Sequence, residues 1–153
     1  MKERRSARRL ALDVLYEAEI RDLLPVESLA ARRPEDWVVA TEGDELSVAD
    51  TAGPAPEVLA YATEIVKGVQ AHHAAIDELI ASYADRWAIK RMPVVDRTLL
   101  RIALYELLWG HDIPVPVAIN EAVELAKDLS TEDSGRFING LLGRVAEAER
   151  GAG

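Results

Sequence analysis

The stretch DRTLLRIALYELLWGHDIPVPVAINEAVELAKDLSTEDSGRFINGLLGRV, residues 96–145, decides the fold. It divides into three consecutive helices with almost no connecting loop. The first, Asp96 to Trp109, is apolar on most of its circumference, with Leu99, Leu100, Ile102, Ala103, Leu104, Leu107 and Leu108. A helix apolar nearly all round is a central one, packed on several sides. His111 to Pro116 stops it, because proline lacks the amide donor and biases its predecessor away from helix. The next helix places Ile119, Ala122, Val123 and Ala126 on one face, opposite Asn120, Glu121, Glu124, Lys127 and Asp128. Ser130 to Asp133 resembles a capping box, and Asp133 near a helix start suits the dipole. The last helix buries Phe137 or Ile138, together with Leu141, Leu142 and Val145.

Upstream the same period continues. A first helix from about Arg4 to Asp22 buries Ala7, Leu10, Ala11, Val14, Leu15 and Ala18 at three- and four-residue spacing. A short helix follows Pro25, from Val26 to Ala31. Leu59, Ala62, Val66 and Val69 mark another, and Ile76, Leu79, Ile80, Tyr83 and Trp87 the next, with Pro93 ending the connection. No strand-like two-residue alternation persists, and no internal repeat is visible. The expected class is all-α, with six or seven helices. Gly140 and Gly143 would each cost about 1 kcal/mol relative to alanine in an exposed helix; close approach to a neighbouring helix is the expected reason for them.

At 153 residues, one domain (1–153) with a genuine core is the expectation. Aromatics make up 5% with a single phenylalanine, so the core must be built from Leu, Ile, Val and Ala. There is no cysteine, which removes disulfides, thiolate catalysis and zinc–thiolate sites. No apolar run approaches a membrane span, and the charged start leads into an amphipathic helix unlike a signal peptide. These features together imply a cytoplasmic protein with no membrane partner.

Charge is unevenly distributed behind the net −9. The first nine residues hold Lys2, Arg4, Arg5, Arg8 and Arg9 against only Glu3, whereas residues 34–57 hold seven carboxylates and no Lys or Arg. Screening over about 8–10 Å makes the local field matter more for phosphate contact than the total. The acidic segment also carries Gly43, Gly53, Pro54 and Pro56. It reads as a surface insertion or long loop that Trp37-Val38-Val39 could pin locally.

Enzyme chemistry finds little support. His72-His73 and His111 are the only histidines, and adjacent helical residues point about 100° apart, unlike a metal pair at i,i+4. There is no glycine-rich phosphate loop, nucleophile elbow or strand-to-helix cofactor fingerprint. Glu121 and Glu124 lack a histidine at the offset a di-metal helix needs. The chain reads as a non-enzyme without metal or cofactor.

Two groups of residues can carry binding instead. Arg4 with Arg8, and Arg5 with Arg9, are i,i+4 pairs on one side of the first helix. Guanidinium groups fit phosphate oxygens in a bidentate fork and stack on bases. A merely solvated basic terminus is an equal reading on the residues alone. Asp133-Ser134-Gly135-Arg136-Phe137 places an aromatic beside a cation at a helix start, which can stack an unpaired base. The competing reading simply buries the chain's one phenylalanine.

Taken in order, Leu100-Arg101-Ile102-Ala103-Leu104-Tyr105-Glu106-Leu107, Ala118-Ile119-Asn120-Glu121-Ala122, Glu124-Leu125-Ala126-Lys127 and Phe137-Ile138-Asn139-Gly140-Leu141-Leu142 resemble the NusB family of bacterial transcription antitermination factors. Each fragment alone is an ordinary amphipathic helix, and their order and spacing make the signal. With the basic first helix the resemblance covers most of the chain outside residues 34–57, where the chain departs from the family's compactness. It implies two packed helical bundles. It also implies RNA contact by Arg4, Arg5, Arg8 and Arg9 and by Asp133, Ser134, Arg136 and Phe137, with Ser6 standing where some relatives carry another arginine. Tyr16, Tyr83 and Asp96 would face NusE, a small-subunit ribosomal protein. The pair would clamp the single-stranded boxA element of nascent ribosomal RNA within an RNA polymerase antitermination complex. Two alternatives stay open: a homodimeric helical interaction module, or the stand-alone RNA-binding domain of a ribosomal-RNA methyltransferase.

Overall fold

The computed structural model describes residues 2–32, 54–84, 87–110 and 113–149. They form α1 (Lys2–Ile20), α2 (Pro25–Ala31), α3 (Pro56–Ala71), α4 (His73–Tyr83), α5 (Val94–Trp109), α6 (Val115–Leu129) and α7 (Glu132–Glu149), with a 3-10 turn at Ile89–Arg91. No strand occurs among the described residues, so the all-α expectation holds. The acidic segment, up to residue 53, lies outside them, as do His111 and Asp112. Two compact units divide the chain, Met1–Gln70 and Ala71–Gly153.

In the first unit α1 buries the predicted stripe of Ala7, Leu10, Ala11, Val14, Leu15 and Ala18, with Leu12 added. It ends in a Schellman-type turn: the Leu23 amide donates to the Ala18 carbonyl at 2.8 Å, and Asp22 takes φ 56°. Aspartate tolerates this left-handed conformation better than most residues. Glu17 then ties α1 to α2. Its Oε1 accepts from the buried Ser28 hydroxyl at 3.1 Å and lies 3.4 Å from Arg32 Nη2. Gln70, near the end of α3, accepts the Val26 amide at 2.8 Å, satisfying one of the free amides at the start of α2. The buried face of α3 is Val58, Ala62, Ile65, Val66 and Val69. Leu59, predicted to be in that stripe, is exposed: it lies one residue, hence about 100°, away from Val58 around the helix.

The second unit is built around α5. Thr98, Leu99, Leu100, Ile102, Ala103, Leu104, Tyr105, Glu106 and Leu107 are all buried, so the helix is covered on nearly every side as its composition requires. Arg101 joins it to α4 by a bidentate pair with Asp77, at 2.8 and 3.0 Å. Arg97 Nη1 donates to the carbonyls of Met92 and Ile89, securing the turn that leads into α5. On α6 the buried line is Ala118, Ala122 and Ala126, one residue per turn, with the predicted Ile119 and Val123 only half-buried. Small side chains on that line let α6 lie close along α7. In α7, Ile138, Leu141, Leu142 and Val145 are fully buried.

Two expectations are corrected here. Trp87 is not part of α4, which ends at Tyr83 with the Ala84 amide donating to Ile80. Gly140 and Gly143 are not sites of close helix approach: an added Cβ at either would meet nothing within 4 Å. On α7 it is Gly135 that sits close to a neighbouring helix: its Cβ would stand 3.1 Å from Lys127 Cγ on α6.

Candidate nucleic-acid interface

In the first unit the candidate residues lie at the start of α1, and its four arginines are not equivalent. Arg5 is exposed, Arg4 and Arg9 are half-buried, and Arg8 is buried at 3% exposure. Arg4 and Arg8 both turn toward the ring of Tyr61 on α3, with Cζ 4.9 and 5.9 Å from its centroid. Both distances lie within the reach of a cation–π interaction. Arg9 Nε stands 3.6 Å from Asp13 Oδ1. Burial pushes the Asp13 carboxyl above its ordinary 3.8, opposed by the positive charges of Arg9 and Arg32. The face predicted from i,i+4 spacing therefore has an outer part, Arg4, Arg5 and Arg9, and an inner support, Arg8.

In the second unit the candidate residues lie at the start of α7. Thr131 caps it: its hydroxyl oxygen accepts the Ser134 amide at 3.0 Å. The Ser134 hydroxyl lies 3.0 Å from both Ser130 Oγ and Thr131 Oγ1, and donates to Asp96 Oδ2 at 2.6 Å. Ser134 and Asp96 are both buried, Asp96 completely. Neither side chain presents a surface in this conformation, to RNA or to a protein partner. Together they lock the α7 start to the α5 start. The other Asp96 oxygen, Oδ1, has no hydrogen-bond partner among the described residues.

Outside that buried network the same turn offers a charged and aromatic surface. Arg136 and Asp133 are exposed and paired with each other. The hydrogen bond to Asp133, and then its charge, raise the Arg136 pKa further. Phe137 is half-buried, and Trp87 meets it edge-to-face at 4.7 Å and 76°. This resolves the two readings of Phe137 into a mixture, one part of the ring packed and one part accessible. Trp87 and Tyr61 are the residues that sequence reasoning missed. Their apolar and aromatic character was visible, but not the distant side chains they support.

Of the residues expected to face a protein partner, Tyr16 is 41% exposed, with Ile20 one turn further along at 59%. Leu23 and Leu24 continue the exposed apolar group. Tyr83 is half-buried, and its carbonyl accepts Arg144 Nη2 at 2.9 Å. His72 stacks on Trp109 with ring centroids 4.0 Å apart, and His73 Nε2 lies 3.5 Å from Asp77 Oδ2. Among the described residues no helix is long and apolar enough to cross a membrane, and no group of three or more His, Asp or Glu side chains is arranged to hold a metal.

Known proteins share this sequence and fold. The transcription antitermination protein NusB of Salinispora arenicola is 52% identical over 147 residues, covering 96% of this chain and 97% of that protein. The structure of T. maritima NusB superposes with a TM-score of 0.76 at 34% identity, over 94% of this chain and 90% of that one. A crystal structure of antitermination factors NusB and NusE in complex with double-stranded RNA matches with a TM-score of 0.75 at 26% identity, over 97% of this chain and 98% of that one. The NusB family model itself matches residues 5–147, and the chain belongs to the NusB family.

Proposed function

We propose that this protein is a transcription antitermination factor that binds boxA-type single-stranded RNA together with a NusE-type ribosomal protein, as part of an RNA polymerase antitermination complex. The observation that carries the reading is the exposed pairing of Arg136 with Asp133 beside the half-open Phe137 at the α7 start, in a chain matched to the NusB family along residues 5–147. An aromatic ring with a guanidinium alongside it is a stacking site with a phosphate donor attached. The outer arginines of α1, Arg4, Arg5 and Arg9, supply backbone contact, which adds affinity without reading sequence.

Support for the protein partner comes from Tyr16 and Ile20, exposed on one face of α1. An amphipathic tyrosine beside bare aliphatic side chains is a composition suited to a protein contact. Tyr83 is retained in the proposal as a half-buried contact; Asp96 is not, being wholly covered. The chemistry needed is recognition and positioning, with no catalytic step.

Fluorescence anisotropy of a boxA-like single-stranded RNA, titrated with the protein alone and with the NusE-type partner, tests the reading. Tighter binding by the pair than by either protein supports it. Absence of binding by folded protein at low salt, with and without partner, overturns it.

A further inference from the structure

The start of α1 poses an energetic problem. Arg4 and Arg8 are like charges one turn apart, which repel, and cations at a helix N-terminus oppose the dipole. Arg8 is moreover taken out of water, to 3% exposure. An aromatic ring on another element can offset part of that cost. The ring of Tyr61 lies under both guanidiniums, at 4.9 and 5.9 Å. An aromatic face carries negative potential, so one ring attracts both cations without itself bearing a charge that would compete with phosphate.

We infer that Tyr61 is a positioning residue for RNA binding: its ring holds Arg8 as a buried support and presents Arg4 to phosphate. The inference rests on the RNA-binding reading above. A carboxylate in its place would neutralise the arginines and repel the nucleic acid. A guanidinium laid flat on a ring keeps its N–H donors at its edge, in the guanidinium plane. Arg4 thus keeps its bidentate fork while losing much of its rotamer freedom before RNA arrives, which lowers the ordering cost of binding.

The test is a series at position 61 in the full-length protein: phenylalanine, then phenylalanines of increasing ring fluorination. These keep the shape and drain the negative face. Phenylalanine should retain the affinity for boxA-like single-stranded RNA, and the most fluorinated ring should weaken it by about three- to tenfold. Arg4→Ala should cost less in the fluorinated background than in the parent. Equal affinity across the series, with melting temperatures unchanged, would overturn the inference. Failure of the parent protein itself to bind RNA would sink the RNA reading instead. The ring's hold on Arg4 is then read in the free protein by NMR: ring-current shifts of the Arg4 side-chain protons should vanish in Tyr61→Leu. Their absence from the parent would remove Tyr61 from any positioning role.

Discussion

The Ser134 hydroxyl donates to Asp96 Oδ2 at 2.6 Å, joining the first turn of α7 to the first turn of α5 across 38 positions of sequence. Both side chains are buried, so the bond is worth more as satisfaction of a carboxylate than as a contact. Ser134→Ala should destabilise the protein by about 1–3 kcal/mol, the cost of leaving a buried acceptor unmade. Asp96→Ala combined with Ser134→Ala should cost less than the sum of the single changes. Urea denaturation of the four proteins measures this; strict additivity would mean that the hydroxyl does not stabilise the carboxylate.

Phe137→Ala should lower RNA affinity by about 1–3 kcal/mol, the usual worth of one stacked base. Because Trp87 meets the ring edge-to-face, the substitution should also change the fluorescence of Trp87. Phe137→Leu should restore much of any lost stability but not the affinity. Parallel loss of stability and binding in both variants would make the ring a packing residue alone.

Removing the carboxylate that holds Arg136 should free its fork for phosphate. Asp133→Asn is expected to tighten RNA binding severalfold at low salt, through one less negative charge and one unpaired guanidinium. Stability should hardly move, since the pair is exposed. Weaker binding would show instead that Asp133 orients Arg136 for its contact.

Asp13 predicts a pH effect with a definite sign. Its carboxyl lies above the ordinary 3.8 because burial disfavours the charge. The folded protein therefore binds more protons at this site than the unfolded chain between 3.8 and the raised value. Asp13's contribution to stability is fully present below 3.8 and is lost as pH rises through that window. Relative to Asp13→Asn, the parent protein should lose stability across the same interval. Matched urea melts at several pH values from below 3.8 upward would reveal it, and a constant difference would refute the shift.

The parts of the fold set by periodicity were legible, and those set by distant contacts were not. The encirclement of α5 and the stripe of α1 follow directly from the order of apolar residues, as does the last buried line of α7. For α3, Leu59 and Val58 are consecutive aliphatics, and only the position of the neighbouring helix decides which one faces inward. Trp87 continued the spacing of α4 without a glycine or proline to announce that the helix had stopped. Among site residues, the basic character of α1 was plain, yet spacing gave no sign that Arg8 is buried and meets the ring of a tyrosine 53 positions away. Asp96 was expected to face a protein partner, but its hydrogen-bond partner is Ser134 on α7.

Burial of Arg8 changes how this helix would respond to its ionic surroundings. Arginine keeps its proton in proteins, so the inner guanidinium is a permanent charge. At 3% exposure it stands largely beyond the reach of mobile ions. Its interactions within the protein are screened much less than those of its outer neighbours. Only cations that shed condensed ions from the nucleic acid enter the slope of a binding isotherm against salt concentration. Counting arginines along the chain will consequently overstate that slope, and the missing unit is the one the fold has already internalised.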